Sequence, residues 1–401
     1  VDEDQCNLRT EHPHWAQWLV DAGYRTGYFG KWHVERSDDL QRFGWQVDGG
    51  SASEHFRAHR NRVRDGIGAP SFSLEKHYEG SEGYRNDLFY GVTEEPASVR
   101  GMGTTADLAL EFLEEAGESP WCCFVSITEP HDPFLCGREA FDRYDVDNLD
   151  LAPNVHDEMS DRPGLYRKAG KVWEKFGDRE HREAAACYYA SITEIDEQYG
   201  RLLSWLDESG QAENTIVVLT SDHGELLGSH GMYCKNLSGF EEVYGIPMVV
   251  RGPGVEAGVT SDARVGLHDV GPTLMELVGL DGFEPPDARS FAPLLRGDSG
   301  DGDYQTGFAE YHGGRYRLTQ RVFWDGPWKL VHNGFDFDEL YNLDDDPWEM
   351  RNLAPDPTHR PRLKQMFEQM WDRVRASGDH ALLNSHYPIL RLATFGPSAD
   401  Q

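Results

Sequence analysis

Apolar residues recur at a helical period through residues 182–207, at Cys187, Tyr188, Ser191, Ile192, Ile195, Tyr199, Leu202, Leu203 and Leu206. This stripe predicts a long amphipathic helix from Arg182 to Asp207, closed by Gly210. The next apolar run, Thr215-Ile216-Val217-Val218-Leu219, is β-branched and reads as a buried strand. The same alternation appears elsewhere. Helical spacing covers His14–Asp21 (Trp15, Trp18, Leu19), Thr104–Glu115 (Leu108, Phe112, Leu113) and Asp269–Val278, with Pro272 near the start of the last. Thr104 or Thr105 is the expected cap of the second. Strands are expected at Thr26–Phe29, Trp121–Ile127 and Ile246–Val250. Helices alternating with apolar strands predict an α/β fold with a mixed, mostly parallel central sheet flanked by helices. Residues 49–101 and 136–180 are polar and read as loops, the first as an insertion over one face.

From Tyr304 the texture changes. Short strand-like runs (Gln320–Phe323, Trp328–His332, Glu339–Leu343) precede a helical stretch, His359–Arg375. This predicts a small C-terminal α+β domain over 301–401, joined to a catalytic-sized α/β domain over 1–300 by the Asp-Gly-rich segment Gly297–Asp303.

Composition narrows the function classes. The chain carries 70 acidic against 38 basic residues, a net charge of -32. Such a field repels nucleic-acid phosphates and anionic lipid, so neither is an expected partner. No apolar run reaches the ~18 residues of a membrane span. The six cysteines lack Cys-x-x-Cys spacing, which argues against a thiolate metal site, and no disulfide framework is expected. Val1-Asp2-Glu3-Asp4-Gln5 is neither an initiator methionine nor a leader peptide. A cytoplasmic location is the expectation, and any leader would lie upstream of Val1.

Candidate chemistry sits where strands end. Thr215–Leu219 runs into Ser221-Asp222-His223-Gly224-Glu225. A carboxylate and an imidazole side by side at the carboxyl end of a strand read as half of a metal site. The strand at Thr26–Phe29 leads to Gly30-Lys31-Trp32-His33, where an extended backbone would point Lys31 and His33 to one face. A cation beside an imidazole suits a tetrahedral oxyanion. Trp121–Ile127 leads to Glu129-Pro130-His131-Asp132-Pro133-Phe134, where prolines restrict the backbone around His131. Lys235 follows a Gly-rich loop that also carries His230, which reads as a supporting or structural residue.

Together these motifs resemble the sulfatases of the alkaline phosphatase superfamily. Gly23–His33 is similar to a sulfatase signature, His131-Asp132-Pro133-Phe134 resembles the family's His-x-Pro-Phe turn, and Asp222-His223-Gly224 its downstream metal motif, followed by Lys235. Glu339-Leu340-Tyr341-Asn342-Leu343, Asp346-Pro347-Trp348-Glu349 and Asn352-Leu353 resemble its C-terminal hallmark. The resemblance implies an alkaline-phosphatase-like fold and metal-dependent hydrolysis of a small-molecule sulfate ester. It implies Asp222 and His223 as metal ligands, with Ca²⁺ the expected ion and Mg²⁺ or Mn²⁺ alternatives. Lys31, His131 and Lys235 would contact the sulfate. His33 would orient or deprotonate the nucleophile and His131 would protonate the leaving alcohol, roles that could be exchanged.

The family also carries an Asp-Asp pair and a Cys/Ser-x-Pro-x-Arg motif upstream of Gly-Lys-x-His. The first residue of that motif becomes a formylglycine nucleophile. Neither occurs upstream of Gly30 here, and Cys6-Asn7-Leu8-Arg9 lacks the proline. The alternatives are therefore a phosphate or phosphonate ester hydrolase on the same fold, or a catalytically inactive relic of a sulfatase. The spread of acidic residues along the chain predicts adaptation to high salt. The thermal midpoint should rise between dilute buffer and molar KCl in a melting series, and an unchanged or falling midpoint contradicts this reading.

Overall fold

The computed structural model describes residues 8, 12–78, 87–235, 237–313, 318–383 and 392–397; Cys6 lies outside them. Residues 2–151 with 175–215 form one compact unit, and residues 152–174 with 216–401 another.

In the first unit, β1 (Arg25–Gly30) is the middle strand of a parallel sheet between β2 (Val47–Gly50) and β5 (Trp121–Ser126). Alternation along β1 sends Tyr28 and Phe29 to opposite faces. Phe29 joins Phe56, Leu108, Phe112 and Leu113, which belong to α2 (Glu54–Val63) and α3 (Gly101–Ala116). Tyr28 joins Ala16 from α1 (Trp15–Asp21) with Leu40, Phe43 and Trp45. Helices thus cover both faces of a parallel sheet, as the alternation predicts. The long helix α4 spans Asp178–Glu208, one turn longer at its start than the apolar stripe, and Glu180 in its first turn accepts the Gly177 N–H at 3.0 Å.

Several local expectations are corrected. Residues 49–101 are not irregular: they contain α2 and the antiparallel pair β3 (Phe72–His77) and β4 (Leu88–Thr93). Within 136–180, β6 (Phe134–Gly137) closes a three-stranded sheet by pairing in parallel with β4. These elements escape a hydrophobicity reading because α2 buries only Phe56 and His59, and β3 has one polar face. Thr104 and Thr105 do not cap α3. Both are buried inside it, and their hydroxyls donate to the carbonyls of Arg100 and Gly101, four residues back.

In the second unit, β7 (Val217–Thr220) pairs antiparallel with β8 (Met248–Arg251). The expectation of a buried strand fails here. Leu219 is 42% exposed, and Val249 directly opposite it is 61% exposed. The rest of the unit is better covered. Helix α5 spans Leu267–Leu277. An antiparallel sheet runs β12-β11-β10-β9 (Glu339–Asn342, Trp328–Asn333, Gln320–Asp325, Thr306–Tyr311). Its Phe323, Leu330 and Leu340 pack on Leu363, Met366, Phe367, Met370 and Trp371 of α6 (Arg360–Ala376). Among the described residues no helix is long and apolar enough to cross a membrane, and the described cysteines are free thiols.

The C-terminal hallmark residues organise this sheet. Asn352 Oδ1 accepts the Leu340 N–H at 3.1 Å, while its amide donates to the carbonyls of Asp161 and Asp338. Glu339 accepts from Tyr166, Tyr341 and Asn333 in a fully buried site. Lys329 is buried between Glu349, in direct contact, and Glu241 at 3.1 Å. Burial pushes the Glu349 carboxyl up to about 8, against the opposing pull of Lys329. Between its ordinary range and about 8, the folded chain therefore holds a proton that the unfolded chain has released, so this contribution to stability falls as pH rises through that window. Melting profiles from pH ~4.5 to ~8 should show that fall, and Glu349→Gln should flatten it. Glu349→Ala, which leaves Lys329 with Glu241 alone, should cost about 3–5 kcal/mol by urea denaturation.

Candidate active site

Lys31, His33, His131, Asp222 and His223 follow the carboxyl ends of strands, and Lys235 and His230 lie in the loop after β7. In the first unit β1 and β5 end in register, Gly30 opposite Ser126. The Lys31 N–H then donates to the Ser126 carbonyl at 2.8 Å. Gly30 makes this possible: its φ is 97°, and a Cβ there would lie 2.0 Å from the Ser126 oxygen. Lys31 is half-buried and His33 is exposed. His33 has φ 47°, so the backbone is not extended there, and the strand-alternation reason for placing Lys31 and His33 on one face does not hold.

β5 leads into the second motif. His131 is held by its own neighbour: Nδ1 lies 2.9 Å from the Asp132 carbonyl and 3.0 Å from Asp132 Oδ1. Both are acceptors, so Nδ1 carries the proton and Nε2 is the nitrogen assigned to chemistry. The Asp132 carboxylate complements an imidazolium and is itself reached by the Tyr78 hydroxyl at 3.4 Å. Burial raises the carboxyl of Glu129, two residues before His131, although Arg100 pulls the other way.

In the second unit β7 delivers Asp222 and His223. The His223 N–H donates to Asp222 Oδ1 at 3.1 Å, so one carboxylate oxygen shapes the turn. Asp222 Oδ2 lies 3.6 Å from His223 Nε2. His223 Nδ1 faces the Gly224 carbonyl at 2.7 Å, which places the proton there and leaves Nε2 as a lone-pair donor. Two donors at right angles on one Ca²⁺ at about 2.4 Å would stand about 3.4 Å apart, so this spacing fits a pair of metal ligands. No group of three or more His, Cys, Asp or Glu among the described residues could hold a metal. Lys235 Nζ donates to the same Nε2 at 2.8 Å, so a cation taken up by His223 would displace the lysine from it.

The loop to Lys235 is tied by a residue the sequence did not single out. Glu225 accepts the N–H groups of Leu227 and Cys234 at 3.1 and 2.5 Å. His230, in the same loop, is fully buried and stacked on Phe240 at 3.8 Å. Its Nδ1 meets Asp157 Oδ2 at 2.8 Å and its Nε2 accepts from Asn154 at 3.0 Å, so both ring nitrogens serve the fold. Burial opposes ionisation of Asp157, but hydrogen bonds from His230 and the Met159 N–H, with the Arg162 charge, hold its carboxyl below the usual range. Asn154 and Asp157 lie more than 70 residues from His230, so no local spacing announces them.

Comparison with known proteins decides what this set of strand ends belongs to. Residues 7–280 match the Sulfatase family, and residues 228–376 match the C-terminal region described as that of N-sulphoglucosamine sulphohydrolase. The chain belongs to the sulfatase family. It is thereby a sulfuric ester hydrolase by class. A choline-sulfatase of Rhizobium meliloti is 26% identical over 381 residues, covering 89% of this chain and 70% of that protein. Arylsulfatase K of Xenopus laevis is 32% identical over 190 residues, 45% of this chain and 35% of that protein. Among solved structures, the fold is similar to a phosphonate monoester hydrolase from Silicibacter pomeroyi (TM-score 0.73, 22% identity, 93% of this chain and 81% of that one). It is also similar to a protein solved with its substrate D-glucosamine-2-N,6-O-disulfate (TM-score 0.72, 18% identity, 94% and 84%).

Gly224 is the tightest point of this sulfatase's Asp222-His223-Gly224 turn. Its N–H donates to the Val243 carbonyl at 2.8 Å, and a Cβ there would lie 2.0 Å from the Glu242 carbonyl oxygen. Gly224→Ala should therefore destabilise the chain by ~3 kcal/mol or more, read by urea denaturation. A variant as stable as the parent would show that the turn is not so confined.

Proposed function

We propose that this chain carries the substrate-handling residues of a sulfatase that uses a formylglycine nucleophile and a divalent cation. The observation that carries the reading is the ordered set of Lys31 and His33, His131, and Asp222 and His223 after strand ends, with Lys235 in the loop that follows, in a member of the sulfatase family. By the family's pattern Lys31 and Lys235 are the residues whose ammonium groups would contact sulfate. His33 orients or deprotonates the hydroxyl that attacks sulfur. His131 gives its Nε2 proton to the alcohol oxygen as the sulfur–oxygen ester bond breaks, while the Asp132 carboxylate at 3.0 Å steadies the ring before transfer. The 3.6 Å pair Asp222 Oδ2 and His223 Nε2 would hold the cation, Ca²⁺ in preference to Mg²⁺ or Mn²⁺. Bound there, it would supply charge against the oxygens of the sulfate.

The 401 residues contain no Cys/Ser-x-Pro-x-Arg sequence, so this polypeptide by itself binds sulfate esters without hydrolysing them. The test is p-nitrophenyl sulfate with the purified chain. Binding by calorimetry with no nitrophenolate release is expected, weakened about tenfold by Lys235→Ala. Nitrophenolate release would refute the prediction of binding without turnover. Absence of binding would refute the sulfate site, and turnover of p-nitrophenyl phenylphosphonate in its place would establish the phosphonate alternative. Residence in the cytoplasm and adaptation to high salt complete the proposed picture.

A further inference from the structure

Strand β6 begins at Phe134, the last residue of the His131 turn, and packs along helix α4. Phe134 and Cys136, two apart on the strand, share one face of it. The Phe134 ring meets Tyr188 of α4 edge-on, with centroids 5.4 Å apart. One residue earlier on the helix, Cys187 is the neighbour of Cys136, and the two thiols are hydrogen-bonded to each other. The Gly137 N–H donates to Glu194 of α4 at 3.1 Å. Strand and helix are therefore fixed against each other on both sides of the sulfur pair, within the first unit.

The pair is enclosed. Cys136 and Cys187 are each 0% exposed. The Cys187 thiol donates to Cys136 Sγ, and that hydrogen bond, with burial, holds its proton well above the ordinary thiol range. Cys136 in turn donates to the Gly91 carbonyl of β4 at 3.9 Å.

Two small apolar side chains filling a core would account for the burial of each thiol. That account does not explain why thiols from a strand and a helix far apart in the sequence meet sulfur to sulfur. Cys122 and Cys123, by contrast, are successive residues of β5 and point to opposite faces. An unstrained disulfide needs two separate backbones that bring their sulfurs together. β6 and α4 supply that arrangement. Closing the bond removes two weak donors from a wholly buried place and leaves no charge there.

We propose that Cys136 and Cys187 are a redox modification site: a dithiol in reducing surroundings, and a disulfide that staples β6 to α4 when the chain folds with a low-molecular-weight disulfide present. One protein thiolate attacks a sulfur of glutathione disulfide. The sulfur–sulfur bond breaks, one glutathione leaves and takes up the proton, and a mixed disulfide remains. The second protein thiol gives up its proton, attacks the protein sulfur of the mixed disulfide and expels the second glutathione as a thiol. Two protein thiols are oxidised, and one glutathione disulfide is reduced to two thiols. The buried, protonated pair is inert in the closed fold, so exchange takes place as the chain folds or opens locally. Neither thiol belongs to the candidate active site, so this modification is independent of the sulfatase reading.

The test is equilibration of the full chain in a buffer of reduced and oxidised glutathione. It starts once from native protein and once from reduced protein unfolded in urea. Acid quench, alkylation and peptide mapping without reductant follow. A peptide pair linked through Cys136 and Cys187 is expected from the refolding chain, and more slowly from the native one. The linked form should melt about 5 °C above the dithiol, because a closed loop of about fifty residues restricts the unfolded chain. Cys136→Ala/Cys187→Ala should lose that redox-dependent rise, and Cys122→Ala/Cys123→Ala should keep it. Alkylated Cys136 and Cys187 in both arms, links to other cysteines in their place, or a linked chain that melts no higher overturns the proposal. If the Cys136/Cys187 variant does not fold, the peptide map and melting of the parent chain decide alone.

Discussion

The buried charge cluster of Lys329, Glu349 and Glu241 is the constraint on which the second unit is built. Lys329 is the second residue of β11, Glu349 lies in the loop after β12, and Glu241 in the short helix that follows the Lys235 loop. Three segments distant in sequence are thus held by one ammonium group, because a buried charge must be matched where it lies. The tie continues by backbone. Glu241 begins the turn whose Val243 carbonyl takes the Gly224 N–H, and Gly224 follows Asp222 and His223. The antiparallel sheet therefore sets the position of Asp222 and His223 without touching either.

The same motif turn shows how one imidazole can be prepared in advance. The Gly224 carbonyl selects the His223 tautomer, so Nε2 presents a lone pair whatever else is bound. Lys235 donates to that lone pair at 2.8 Å, which makes the lysine a stand-in for a cation. His131 is prepared in a similar way by Asp132, whose carbonyl and carboxylate both address Nδ1. In each case the orienting group is an immediate neighbour in the chain.

That locality explains what could be read from the sequence. Asp222, His223, Lys31 and His131 stand out in the sequence because their motifs are contiguous and follow β-branched or aromatic strands, and Lys235 because it follows a Gly-rich loop. The alternation that predicts the parallel β1–β5 pairing works because both faces of that sheet are covered by apolar residues. The reading fails where stability comes from polar contacts across long separations. Helix α2 buries a histidine against Asp107 of α3, and its arginines masked it as a loop. His230 owes its burial to Asn154 and Asp157, invisible to any local pattern. His33 was placed by assuming an extended backbone that a positive φ removes.

The β7–β8 ribbon has a further consequence for how the molecule behaves in a tube. Leu219 and Val249 face each other across it and are largely open to water, on a two-stranded piece of sheet that offers backbone groups for pairing. Such a surface favours edge-to-edge association between copies. The opposing force is the long-range repulsion of a molecule carrying -32 charges. Colloidal stability and the salt that screens it are therefore in tension, and added salt that steadies an acidic fold also brings these ribbons within reach of one another.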